Sequence, residues 1–202
     1  MLGDDSNNAD TGYRTLVDEL GHCFGLPDLY LYEGKPDVWP MGAWDSMSTM
    51  QVSRGYSGWH RHKMGWLTES RKRYITPISG IAAKLTLNQL DSEDGVSLVV
   101  AALGFGEQWK LLVFQVVDPI AAGYEGVLVY MADSTIESGQ GAMKVIPKEE
   151  SYDYRHGNGY KAPFGVGDRM EYHVSDAGIV QLFVEQRCGN SYHIAISYKG
   201  LF

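Results

Sequence analysis

Asp18, Glu19, His22 and Asp28 are the residues of this 202-residue chain whose types and spacing suit metal chemistry. They lie in Asp18-Glu19-Leu20-Gly21-His22-Cys23-Phe24-Gly25-Leu26-Pro27-Asp28-Leu29-Tyr30. Residues four apart on an α-helix share a face, so Asp18 and His22 can point at one ion with Glu19 beside them. Leu16, Val17, Leu20, Cys23 and Phe24 form an apolar stripe of helical period, which predicts a helix over about 13–25. Gly25 is placed to end it in a left-handed turn, and Pro27 helps to stop it continuing. The chain then turns back, and Asp28 can swing toward the same ion. Three protein ligands and one open position are what a catalytic zinc needs. Glu19 would take a proton from the water that attacks a carbonyl. Read without its continuation, Asp-Glu with a His four residues on suits a solvated charged face better than a metal site.

The continuation adds two further blocks. Gly42-Ala43-Trp44-Asp45-Ser46-Met47-Ser48 follows, then Tyr56-Ser57-Gly58-Trp59 and Met64-Gly65-Trp66-Leu67. In this order, over 18–67, the three blocks resemble the immune inhibitor A-type zinc metallopeptidases, a secreted bacterial family of the metzincin kind. The downstream half is similar more loosely, through Gly126-Val127-Leu128-Val129-Tyr130 and a β-rich tail. The resemblance implies an extracellular zinc endopeptidase acting on protein or peptide substrates, often with structural calcium. By position, Glu19 is the base, His22 and Asp28 are metal ligands, and Met47 supports the metal from a Met-turn at about 42–48.

Asp18 stands where that family places its first ligand His. A carboxylate can ligate zinc, but it is shorter than an imidazole and carries charge. The metal becomes a weaker Lewis acid, and the site drifts toward harder cations. The expectation is weakened or lost zinc binding and impaired chemistry. Enzymes of the family also carry a twisted sheet before the active-site helix. Gly3-Asp4-Asp5-Ser6-Asn7-Asn8-Ala9-Asp10 is polar and turn-like and cannot supply one, so an amino-terminal segment is expected to be missing. The alternative function is a non-catalytic peptidase homologue that binds a protein or glycan. A calcium-stabilised module using the loop acids Asp37 and Asp45 is a third; those acids also suit turn capping.

The formal charge of −8 argues against nucleic acid as a partner. No apolar run is long enough for a transmembrane segment, no signal peptide is visible and no Asn-x-Ser/Thr acceptor occurs. Cys23 and Cys188 read as two buried or half-buried thiols, with a bridge between them the other option. His60 and His62 are two apart and diverge on a helix, so neither is expected to ligate. Trp39, Trp44, Trp59 and Trp66 suit core packing under the loop more than substrate pockets. Arg61, Lys63, Arg71, Lys72 and Arg73 read as a solvated basic cluster.

The elements that must position the site fall into two parts. Residues 1–73 are expected to form a partial, truncated metzincin-like catalytic domain, and 74–202 an antiparallel β-sandwich, an α+β chain in all. Period-two runs near 83–87, 97–102, 110–117, 126–130, 170–174, 180–185 and 192–198 predict seven strands. Residues 134–165 read as a long polar connection, whose tyrosine-rich 152–160 stretch suits a surface loop.

Overall fold

The computed structural model describes residues 9–33, 39–49, 55–76, 82–103, 109–118, 125–149, 161–174 and 178–200. Asp37, the polar start through Asn8 and the 152–160 stretch lie outside these residues. The protein is a β-rich α+β chain. Among the described residues it has two α-helices and nine strands, and it divides into two compact units.

The first unit holds the described residues up to Trp66 and also Ser134–Val145. Helix α1 spans Ala9–Cys23. It begins earlier than expected, taking in Asp10, Thr11 and Gly12. Their weak helix propensities cost under about 1 kcal/mol each, which a helix already nucleated downstream overrides. Its carboxy-terminal end follows the expectation from Gly25. Leu26 N–H donates to Gly21 O at 3.1 Å and Gly25 N–H to His22 O at 2.9 Å. Gly25 has φ +79°. These are the paired bonds of a Schellman turn, which satisfies carbonyls the helix end would leave open.

Most of the apolar stripe of α1 is not core. Tyr13, Leu16, Leu20 and Phe24 are exposed, and Phe24 meets the exposed Trp66 edge-on at 6.1 Å. The face that packs is the one with Gly21, Val17 and Asp18, where Met47 and Tyr56 approach. The period identified the helix, and only part of its apolar stripe packs. The tryptophans divide likewise, with Trp44 buried and Trp66 exposed.

Residues Gly42–Trp44 make a buried 3-10 turn, and helix α2 is Gly58–Lys63. The supposed connection after 133 is partly ordered within this unit. Leu31 bridges Gln140 in antiparallel fashion, and Val145 N–H donates to Pro40 O at 3.0 Å.

The second unit is Leu67–Asp133 with the described residues from Ile146 onward. Its strands are β1 (Lys72–Ile75), β2 (Ala83–Leu87), β3 (Leu98–Ala102), β4 (Lys110–Val117) and β5 (Gly126–Asp133). After β6 (Met143–Val145), which belongs to the first unit, come β7 (Arg169–Val174), β8 (Gly178–Cys188) and β9 (Ser191–Lys199). The seven expected strands are present; β1 and β6 are additional. One sheet runs β1-β3-β4-β5, the other β2-β9-β8-β7. All these pairings are antiparallel except β1 with β3.

The two sheets share one core. Val99, Leu112, Phe114 and Val129 come from the first sheet; Leu87, Val180, Leu182, Ile194 and Ile196 from the second. Alternation along β8 and β9 buries every second residue, as a one-sided sheet requires. β3 to β5 are buried on both faces, which is why their sequences read as continuous apolar runs. Arg71, expected in a solvated cluster, instead ties a turn together by donating to the carbonyls of Gln89, Leu90 and Gly95.

Candidate metal centre

Helix α1 and the turn that ends it bring three ligand types together. Ligand atoms of Asp18, His22 and Asp28 all lie within 4.8 Å of one another. Asp18 and His22 come from successive turns of one helix face. The Schellman turn reverses the chain and returns Asp28 to that face. His22 Nε2 is 3.3 Å from Asp28 Oδ1. Ligands held at about 2.1 Å in a tetrahedron stand about 3.4 Å apart, so the separation of this pair is compatible with a shared divalent cation as well as with a His–Asp ion pair. All three predicted ligand residues therefore meet.

The histidine is held in a definite role. Its Nδ1 is 3.0 Å from Leu26 O, an atom that only accepts, so Nδ1 carries the proton and donates. Nε2 then presents its lone pair toward Asp28, the tautomer a metal-bound imidazole needs. A lone pair facing a carboxylate oxygen calls for a positive charge between them, either a proton on Nε2 or a cation. Burial disfavours the charged ring, but the Leu26 carbonyl and the charges of Asp28, Asp18 and Glu19 outweigh it, and the pKa of His22 is raised.

The two carboxylates differ. Asp18 is 7% exposed, and its pKa is pushed up to about 6, first by burial and then by Asp28, with Glu19 and Asp45 adding and His22 opposing. Asp28 is 5% exposed. Its Oδ2 accepts from Tyr32 Oη and, at 3.3 Å, from Ser138 Oγ. Its Oδ1 is buried and, while His22 Nε2 is unprotonated, accepts no hydrogen bond among the described residues. A buried carboxylate oxygen without a donor is costly, and a cation satisfies it. The donor set, the histidine tautomer and this orphaned oxygen all fit a divalent cation. Tyr30, beside Asp28, has its hydroxyl held protonated by burial and by that carboxylate.

Met47 packs against helix α1 at Gly21. A Cβ built on Gly21 would stand 2.3 Å from Met47 Sδ and 3.2 Å from Tyr56 Cε1. The sulfur thus packs on bare helix backbone between Asp18 and His22. Met47 O also accepts from Leu29 N–H at 2.8 Å, tying the Asp28 segment to the same turn. Met47 is fully buried.

The Met47 turn is fixed from behind by Asp45. Its Oδ1 accepts from Met47 N–H and its Oδ2 from Ser57 N–H, each at 2.8 Å. Oδ2 also lies 2.9 Å from His60 Nδ1, with both side chains buried. Burial alone would raise the Asp45 carboxyl, but His60, Ser57 and Met47 hold it below its usual range. Asp45 is thus a turn cap, one of its expected roles. Neither His60 nor His62 is among the three ligands.

Glu19 is exposed on α1, next to Asp18, and its charge acts on both Asp18 and His22. No hydrogen bond orients its carboxylate among the described residues. Sequence reasoning missed Tyr32, Ser138 and the Asp45–His60 pair. Ser138 is 110 residues from Asp28, and an isolated surface serine carries no local signal. Cys23 and Cys188 are free, and both are exposed rather than buried.

No protein-family model matches the chain, and neither a curated protein nor a solved structure shows significant similarity to it. No helix among the described residues is long and apolar enough to cross a membrane.

Proposed function

We propose that the first unit is a divalent-metal centre of the peptide-hydrolase type, with Asp18, His22 and Asp28 as ligands and Glu19 as general base. The observation that carries this reading is the histidine. Its Nδ1 proton is committed to Leu26 O, and its free Nε2 faces the orphaned Oδ1 of Asp28 at 3.3 Å. The single imidazole favours zinc or a first-row transition ion over calcium, whose ligands are oxygens. A cation held there supplies Lewis acidity, polarising a carbonyl and making water easier to deprotonate. Glu19 takes the proton from the attacking water and returns it to the departing amine. Met47 and the Asp45 cap hold the helix and the Asp28 turn in register.

A second reading is a metal-dependent or metal-free binding module without catalysis. It is favoured by the carboxylate at position 18, which weakens the Lewis acid, and by the unoriented Glu19. Secretion and action on proteins rest on the resemblance of residues 18–67 and belong to the proposal. The deciding experiment is a peptidase assay on zinc-loaded protein, with Glu19→Gln and Asp18→His beside it. Hydrolysis lost in Glu19→Gln and raised in Asp18→His supports catalysis. Zinc binding without hydrolysis in the parent supports the binding module.

A further inference from the structure

Tyr32 is 57% exposed, yet its ring and hydroxyl are both held in place. The ring lies flat on the backbone of Gly139, where a Cβ would come 2.1 Å from Tyr32 Cδ2. Gly139 has φ +73°, which a side chain would strain as well. The Tyr30 ring meets the Tyr32 ring edge-on at 5.6 Å. Two backbone bonds lock the segments together: Tyr32 N–H to Gly139 O at 2.9 Å and Gly139 N–H to Asp28 O at 3.0 Å. Within this frame Ser138 Oγ accepts from Asp28 N–H at 2.9 Å and lies 3.2 Å from Tyr32 Oη. Both hydroxyls converge on Oδ2 of Asp28.

We infer that Tyr32 and Ser138 are positioning residues of the metal centre, holding Oδ2 of Asp28 so that Oδ1 alone is presented to the cation beside His22 Nε2. This rests on reading Asp18, His22 and Asp28 as ligands. A carboxylate free at both oxygens can rotate, chelate through both or turn to solvent. Two donors on one oxygen remove that freedom and fix one-oxygen ligation, which leaves an open position at the ion. Partners of this kind change metal affinity by about 10–100-fold when removed. The clamp also explains why a segment more than 100 residues downstream in sequence returns to the ligand turn.

The test uses the full chain. Zinc affinity is measured by competition with a chromophoric chelator, and the cobalt-loaded protein gives an absorption spectrum sensitive to ligand number and geometry. Tyr32→Phe keeps the ring on Gly139 and removes only the hydroxyl. Ser138→Ala removes the second donor, and Ser138→Thr restores it. The expected result is at least about tenfold weaker zinc in Tyr32→Phe and in Ser138→Ala, with altered cobalt bands and recovery in Ser138→Thr. Zinc affinity and cobalt bands unchanged in Tyr32→Phe and Ser138→Ala would overturn the clamp while leaving the ligand reading intact. A parent chain that binds neither zinc nor cobalt would overturn the ligand reading, and the clamp with it.

Discussion

Asp18 and His22 are held in a state that favours protons when no cation is present. The Asp18 carboxyl is raised to about 6 from its ordinary 3.8, and His22 is raised above its ordinary 6.5. A raised group binds its proton more tightly when folded, so its contribution is full below the unfolded value and lost as pH rises through the folded one. Metal-free protein should therefore lose stability as pH rises from about 4 to 6, and further as His22 deprotonates above 6.5. Asp45 acts oppositely and lower: its depressed carboxyl contributes above 3.8 and is lost as pH falls further. Thermal melts of chelator-treated protein across this range test the signs. Asp18→Asn should flatten the slope between pH 4 and 6; an unchanged slope would contradict the assignment. Spacing and the resemblance of residues 18–67 together singled out Asp18, Glu19, His22 and Asp28, and the structure brings Asp18, His22 and Asp28 together because helix period and a glycine turn are local rules. Tyr32 and Ser138 were not legible, since a hydroxyl acquires its role only from a partner brought by the fold.

The elements that carry the site meet at Gly21. With Met47 Sδ already against its backbone, Gly21→Ala forces overpacking of a fully buried methionine. The expected cost is about 1–3 kcal/mol in a denaturant unfolding series. The double variant Gly21→Ala/Met47→Ala should cost less than the sum of the two single changes, because the clash disappears with the sulfur. Strict additivity would mean that the two residues do not touch. The outer stripe of α1 gives the opposite expectation. Leu16→Gln and Leu20→Gln should each shift stability by no more than about 0.5 kcal/mol, since both side chains are already exposed. A shift of several kcal/mol would show that this face is buried in the folded protein. Periodicity finds a helix but does not say which of two apolar faces packs; here glycine, the smallest residue, marks the packed one.

Across the whole molecule, the antiparallel strands were legible because alternation and turn residues are written locally. The parallel β1 and the return of residues 134–145 to the first unit were not, since each depends on a partner distant in sequence, and β6 is only three residues long, too short to show an alternation. Cysteine burial was misread for a related reason. Cys23 sits on an apolar-looking helix whose outer face is open, and Cys188 ends β8 beside a turn. Both thiols should react with an aromatic disulfide reagent in the native protein at rates near those of the unfolded chain. Slow reaction at either would show that the thiol is covered.

In the proposed centre Asp18, His22 and Asp28 hold one divalent cation. The most direct measurement is metal stoichiometry by mass spectrometry after zinc loading and removal of free metal, on the parent, His22→Ala and Asp18→His. About one zinc per chain in the parent, none in His22→Ala and tighter retention in Asp18→His is the predicted result. Equal zinc content in the parent and His22→Ala, or none in the parent, would contradict it.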